Sequence, residues 1–245
     1  METIGNESKA KRFGKAAIDI VSFAALAVII ITIISVPFAT VLLKLGKEEA
    51  DTMSYFILSE TLMLAGVFLS AWIVWHLRGF SLEGLGRSLT MRWKDWLSGI
   101  LLATVLYAVG FGISLWAGAV EIAGVAFNPS SLLISLVFFL LVAVTEELAL
   151  RGFVLERLLQ SGVNKFCALF LSAALFSLIH IGNPNFDFLS FINILLAGIL
   201  LGSSYIYTRN LCFPIALHWF WNWIQGPVLG LSLIHISEPT RHAQI

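Results

Sequence analysis

Charged residues are scarce in this chain, and their scarcity determines its class. Of the 245 residues, 12% are charged and 58% are hydrophobic, whereas soluble domains carry roughly 25% charged residues. This composition excludes an ordinary soluble domain and predicts an all-α polytopic membrane protein in a lipid bilayer. The formal net charge is zero, so no excess of positive charge indicates a nucleic-acid partner.

The chain also lacks two common signatures of metal or disulfide sites. Its two cysteines, Cys167 and Cys212, both lie in apolar stretches, so we predict neither a disulfide framework nor a cysteine zinc site. No HExxH sequence is present, although that helical motif binds zinc in many metalloproteases. A zinc ion would therefore have to be held by scattered Glu and His side chains.

Long apolar segments separated by short polar ones predict about seven transmembrane helices. A span needs roughly 20 residues, and the segments cover approximately 16–43, 53–75, 96–116, 132–160, 166–180, 188–208 and the stretch from 211. We assign 16–230 to one membrane-embedded domain.

Lysine and arginine are unevenly distributed among the polar segments. Residues 1–15 and 76–95 carry four each, whereas 117–131 carries none. The positive-inside rule therefore predicts a cytoplasmic N-terminal segment, 1–15, in a multi-pass protein of the plasma membrane. Asp19, near the start of the first span, is expected to be interfacial and within reach of Lys15.

The last residues differ in character from the rest. Leu231–Arg241 reads LSLIHISEPTR, and a DNA sequence that encodes it in frame looks like the transposon-end adapter of a common sequencing-library method. We therefore expect 231–245 to be a non-native read-through tail and the natural C-terminus to be missing. Its histidines and its glutamate are not counted as site residues.

Ionisable residues within the apolar stretches are the candidate site residues, because a bilayer core cannot solvate them. The uncharged run Leu132–Val144 leads directly into TEELALR, which contains Glu146, Glu147 and Arg151. Residues four apart share a helical face, so Glu147 is predicted to pair with Arg151. Glu146 points about 100° away and stays free for chemistry or a metal. The simpler alternative is that these charges mark the end of a span.

Two histidines in later apolar stretches extend the candidate set. His180 ends the predicted fifth span, and His218 precedes Asn222 by one turn in the seventh. Imidazole and carboxylate groups serve both as zinc ligands and as general bases. Glu60, inside the second span, is a weaker candidate that would either line the same cavity or reach the interface.

Depth along the helices tests whether these residues can meet. If the fourth helix continues to residue 160, Glu147 lies ~20 Å from its end, and His180 lies ~22 Å from residue 165. Both would then lie near the middle of the membrane, with His218 at ~10 Å and Asn222 at ~16 Å somewhat shallower. This geometry also places the break IGNPNFD, 181–187, at a depth where irregular backbone must line a cavity.

Three short patterns occur in order along these helices: EELALR fits EExxxR, FSLIH fits FxxxH, and HWFWN fits HxxxN. Over about residues 85–230 the chain thereby resembles the CPBP intramembrane proteases, also called the CAAX protease and bacteriocin-processing, or Abi, family. The resemblance implies a metallo- or glutamate-dependent endopeptidase that cleaves a membrane-associated protein or peptide.

The resemblance also implies roles for individual residues. Glu146 and His180 would activate water, His218 and Asn222 would stabilise the oxyanion, and the supporting pair would be Glu147 and Arg151. If Zn²⁺ is used, its ligands would be Glu146, His180 and His218; a metal-free mechanism is the alternative.

Two other functions compete with proteolysis. The first is a non-enzymatic bacteriocin-immunity or membrane scaffold protein, against which the complete motif set argues. The second is a proton-coupled transporter, since buried Glu and His also form proton relays. Transporters often contain internal repeats, and the sequence has none.

Overall fold

Helices account for the regular structure of the chain, as its composition predicts. The structure, a computed structural model, describes residues 8–45, 53–79, 90–122, 124, 127–184 and 186–230, and it has no strand among them. The helices are α1 Lys9–Leu45, α2 Met53–Arg78, α3 Trp93–Trp116, α4 Pro129–Gln160, α5 Lys165–Leu178, α6 Phe188–Thr208 and α7 Cys212–Trp223. The predicted tail, 231–245, lies outside the described residues.

The seven predicted spans correspond to five long helices and two short ones. In the described chain, α1, α2, α3, α4 and α6 are long and apolar enough to cross a membrane, which confirms a polytopic membrane protein. Helix α5 has 14 residues and the α-helical part of α7 has 12, fewer than the roughly 20 that a span needs. Helix α5 is therefore too short to cross the bundle, whereas helical structure in α7 continues beyond Trp223.

Two helices contain π-helical segments that the sequence does not predict. In α4, regular α-helix ends at Glu147, Leu148–Leu155 is π-helical, and Glu156–Gln160 is α-helical again. Helix α7 continues beyond Trp223 as the π-helix Ile224–Val228. Such π segments are rare and are frequent at functional sites.

Helix α7 lies at the centre of the packing and contacts α3, α4 and α6. Its contact with α3 is close at Gly99, where a Cβ would lie 2.7 Å from the Phe213 carbonyl oxygen. Small residues permit such close approach between membrane helices. Two indole N–H groups fix α7 against α4, since Trp219 donates to the Leu136 carbonyl at 2.8 Å and Trp223 to that of Leu132 at 3.1 Å.

Buried ion pairs join the helices at the end of the bundle where α1 begins. Asp19 is 1% exposed and accepts hydrogen bonds from Arg78 of α2 and from Arg157 of α4, the latter at 2.7 Å. Two arginines from later helices therefore enclose Asp19, a pairing that the sequence did not predict.

Candidate active site

The Glu147–Arg151 pair forms the buried base of the site. Both side chains have no exposed surface, and Arg151 Nη1 donates to Glu147 Oε1 at 2.8 Å, as the i, i+4 spacing predicts. Arg151 also donates to the Gly198 carbonyl of α6 at 3.1 Å, and its guanidinium lies 4.5 Å from the centre of the Phe176 ring of α5. One arginine thus holds α4, α5 and α6 together beside the site.

The π-helical segment of α4 begins directly after this glutamate pair. Seven of its eight residues are buried, and the Leu150 carbonyl accepts a hydrogen bond from the Ser172 hydroxyl of α5 at 3.1 Å. The π-helical segment therefore presents a backbone acceptor to the neighbouring helix. Periodicity in the sequence could not predict this, because one irregular turn leaves the apolar pattern intact.

His218 of α7 contacts both glutamates of α4. Its Nδ1 lies 3.0 Å from Glu147 Oε1, and its Nε2 lies 3.8 Å from Glu146 Oε2. An ionised carboxylate can only accept a hydrogen bond. The His218 Nδ1 therefore carries a hydrogen and donates a hydrogen bond to Glu147. In the neutral ring, the lone pair of Nε2 then faces Glu146. The sequence did not predict this second partner for Glu147.

His180 approaches Glu146 from the other side. Its Nδ1 lies 2.7 Å from the Phe176 carbonyl oxygen, which can only accept, and its Nε2 lies 3.8 Å from Glu146 Oε2. This ring therefore also presents an Nε2 lone pair to Glu146 when it is neutral. His180 lies in the turn after α5, two residues past the helix end at Leu178.

The structure brings the His218 side chain into contact with Glu147, although the rise per residue predicted that His218 lies somewhat shallower. Leu211 and Cys212 at the beginning of α7 are only 1% and 6% exposed. The Cys212 thiol there lies against the Thr90 carbonyl, shortly before α3.

Glu146 Oε2 and the Nε2 atoms of His180 and His218 face one another as three hydrogen-bond acceptors without a donor. That oxygen is buried and has no hydrogen-bond partner, and both separations of 3.8 Å exceed a direct hydrogen bond. With neutral imidazoles, the charges of Glu146, Glu147 and Arg151 sum to −1 in a region that solvates charge poorly. A proton, a water molecule or a cation placed between these atoms would satisfy them.

Zinc fits this donor set in kind but less well in spacing. Bonds of about 2.0–2.1 Å in tetrahedral geometry place ligand atoms roughly 3.3 Å apart, about 0.5 Å closer than the 3.8 Å separations found. Among the described residues, no three His, Cys, Asp or Glu side chains already form a metal-ligand group. The Glu147 bond to His218 Nδ1 is the kind of contact that orients a zinc-binding imidazole.

Residues 128–224 match the family model described as type II CAAX prenyl endopeptidase Rce1-like. The similarity to the CPBP, or CAAX protease, family therefore extends over 97 of the 245 residues, and we call this stretch the CAAX protease core. The match begins one residue before α4 and ends one residue after the α-helical part of α7, so this family core contains all three motifs. No curated protein and no solved structure matches the chain.

A cavity of about 330 Å³ opens beside the acceptor groups of the CAAX protease core. Its polar lining includes Glu146, His180, His218 and Asn222, so the structure brings these four residues together. Aromatic and aliphatic side chains from α4, α6 and α7 form the rest of the wall, among them Phe138, Phe139, Leu200, Leu201 and Trp221. The volume is near the lower limit for ligand pockets, roughly 300–1,000 Å³.

Two lining amides were missed by the sequence reasoning. Asn183 belongs to the break at 181–187, which was predicted to line a cavity without naming a residue. Gln225 lies in the π-helix after α7. The sequence held a signal for Gln225, because it is a polar residue three positions after Asn222 and therefore lies on the same helical face.

Glu60 of α2 lies next to the CAAX protease core but does not line its cavity. It is 7% exposed and interacts with Thr145 and Glu146. The alternative that Glu60 reaches the membrane interface is therefore wrong. The structure places a third carboxylate near Glu146, supplied by a helix outside the family match.

Proposed function

We propose that this protein is an intramembrane endopeptidase that hydrolyses a peptide bond of a membrane-associated protein or peptide. The observation that carries the proposal is Glu146 Oε2, buried without a hydrogen-bond partner and 3.8 Å from two imidazole nitrogens beside a cavity. The match of residues 128–224 to the CAAX prenyl endopeptidase family model supports the same reaction class.

In the proposed reaction, Glu146 accepts the proton of a water molecule as that water attacks the substrate carbonyl. His180 Nε2 faces the same oxygen and can take the proton from Glu146. It then delivers the proton to the leaving amine nitrogen. Such general acid–base catalysis contributes roughly 10²–10⁴-fold to a rate.

The developing oxyanion needs donors, and the site has two candidates. The Asn222 amide lines the cavity one turn from His218. His218 can donate through Nε2 only as an imidazolium, because its Nδ1–H is committed to Glu147. The buried Glu147 carboxylate stabilises that cation, which gives the supporting pair a role in the reaction.

Zinc is a separate element of the proposal. When bound, it would be held by Glu146, His180 and His218 and would supply a Lewis acid at the carbonyl. The steps assigned to Glu146, His180 and Asn222 proceed without it. Metal analysis of the purified active protein decides between the two forms, because full activity without bound zinc would establish the metal-free one.

The proposal includes a location. The protein lies in the plasma membrane, and the distribution of Lys and Arg supports an orientation with the N-terminal segment in the cytoplasm. Cleavage of an epitope tag placed at residue 1 by a protease added to the cytoplasmic side would test this orientation.

Cleavage of defined peptides by the reconstituted chain tests the activity. The panel consists of quenched fluorescent peptides, some prenylated at a C-terminal CAAX sequence and others unprenylated and membrane-spanning. We expect turnover of at least one peptide by the wild type and a loss of about 10²–10⁴-fold in Glu146→Gln. Glu121→Gln, an exposed carboxylate after α3, is the matched control. Equal turnover by Glu146→Gln would remove Glu146 from the mechanism.

A further inference from the structure

We propose that Gln225, oriented by Tyr107, positions the substrate by donating its amide N–H to a peptide carbonyl about three residues from the cleaved bond. The inference deepens the proposed peptidase function and rests on it. Neither residue lies within the family match at 128–224, so the contact is a feature of this chain beyond the shared core.

A hydrogen bond from a neighbouring helix orients the Gln225 amide. The Tyr107 hydroxyl of α3 donates to Gln225 Oε1 at 2.8 Å. The Trp221 indole lies edge-on to the Tyr107 ring, with 5.0 Å between ring centres. This contact holds the Tyr107 ring in place beside Gln225.

The other end of the amide is available to a ligand. Gln225 lines the cavity whereas Tyr107 does not, so the tyrosine holds the amide from outside the cavity wall. Among the described residues, the Gln225 Nε2 has no hydrogen-bond acceptor. An oriented amide with an unused N–H2 group beside an active site is suited to a backbone carbonyl.

Spacing along α7 defines which part of a peptide Gln225 can reach. His218, Asn222 and Gln225 occur at i, i+4 and i+7 and therefore share one face. Seven residues of helix advance about 10 Å, and an extended peptide advances about 3.3 Å per residue. A peptide lying along α7 with its reacting carbonyl near His218 would thus meet Gln225 about three residues away.

The test uses the panel peptide that the wild-type chain cleaves fastest. Gln225→Leu removes the donor, and Gln225→Glu keeps the Tyr107 partner but replaces the donor with an acceptor. We expect kcat/KM to fall about 3- to 10-fold in each, mainly through KM, which is the range for one neutral hydrogen bond. Tyr107→Phe should cost less, and Tyr107→Phe/Gln225→Leu should be no worse than Gln225→Leu. Tyr55→Phe, a tyrosine of α2 that stacks on Phe38, should have no effect.

Shortened peptides give a readout that a structural role would not change. Peptides truncated from either end to two residues beside the cleaved bond cannot reach Gln225, so wild type and Gln225→Leu should cleave one of these series equally. Unchanged kcat/KM in Gln225→Leu, or a defect that persists with both truncated series, would overturn the proposal.

A binding measurement separates this inference from the peptidase proposal. In the Glu146→Gln background, the Kd of a labelled panel peptide should weaken about 3- to 10-fold on Gln225→Leu. This weakening without cleavage by any chain would retain the positioning role and refute the peptidase function. Cleavage by the wild type, with Kd and KM unchanged by Gln225→Leu, would retain the peptidase function and refute the positioning role. Absence of both binding and cleavage would refute both proposals.

Discussion

Removal of the Arg151 charge should destabilise the protein strongly, and removal of its partner in the same molecule should restore much of the loss. Arg151→Met retains an apolar stem and leaves Glu147 without its cation in a position with no exposed surface. Breaking a buried pair costs about 3–5 kcal/mol. At roughly 2–4 °C per kcal/mol for a chain of this size, the apparent Tm should fall by about 6–20 °C.

The double substitution Arg151→Met/Glu147→Gln removes both charges together. Because replacing both members of a buried pair with neutral groups is often close to neutral, we expect its Tm to lie well above that of Arg151→Met. Activity should recover only partly, since a glutamine at 147 can accept the His218 Nδ1–H but cannot stabilise an imidazolium equally well.

Thermal unfolding of the detergent-solubilised chain measures the cycle, and Arg92→Met provides the control. Arg92 likewise binds one carboxylate, Asp95 at 3.1 Å, and one carbonyl, that of Thr208 at 3.1 Å, but its side chain is 46% exposed. An exposed pair contributes about 0–1 kcal/mol, so the control should unfold nearly as the wild type does. Simple addition of the Arg151 and Glu147 effects would refute the argument, because it would show that the two charges do not interact.

Three further predictions concern the scaffold. Gly99→Ala should cost about 1–3 kcal/mol by overpacking, because its Cβ would lie 2.7 and 2.8 Å from α7 backbone atoms. Gly110→Ala is the control, since its Cβ would meet nothing within 4 Å and should not destabilise the protein. Thermal unfolding compares the two variants. Asp19→Asn should cost about 3–5 kcal/mol in the same assay, since two arginines lose a buried counter-ion. The Ser190 backbone N–H donates to Asp187 at 2.7 Å and holds the pKa of Asp187 below its ordinary value. The Asp187 cap should therefore contribute fully to the stability of the start of α6 above the ordinary pKa of aspartate. This contribution should disappear as pH falls through the lowered pKa, which NMR titration would detect.

The parts of the site that depend on helical spacing could be predicted from the sequence. The Glu147–Arg151 pair follows from residues four apart on one face. The meeting of Glu146 with His180 follows from the rise per residue along two helices of opposite direction. Both arguments use only distances within a helix, which vary little between proteins.

The parts that depend on contacts between helices could not be predicted. The bond from His218 to Glu147 depends on how α7 packs against α4, and a sequence of apolar residues does not reveal that packing. The burial of Asp19 by Arg157 joins residues 138 positions apart. The contact between Tyr107 and Gln225 depends on the close approach of α3 and α7 and on the irregular turn after Trp223.

The ends of α5 and of the regular part of α7 place polar side chains inside an apolar bundle, as the proposed hydrolysis requires. Helix α5 ends at Leu178 and the regular part of α7 ends at Trp223, and His180, Asn183 and Gln225 follow these ends and line the cavity. Irregular backbone at membrane depth is tolerated only where protein or water satisfies its polar groups. At the end of α5, the His180 N–H donates to the Ser177 carbonyl and the Asn183 N–H donates to the His180 carbonyl. The turn after α5 therefore satisfies its backbone with protein partners while two of its side chains, His180 and Asn183, line the cavity.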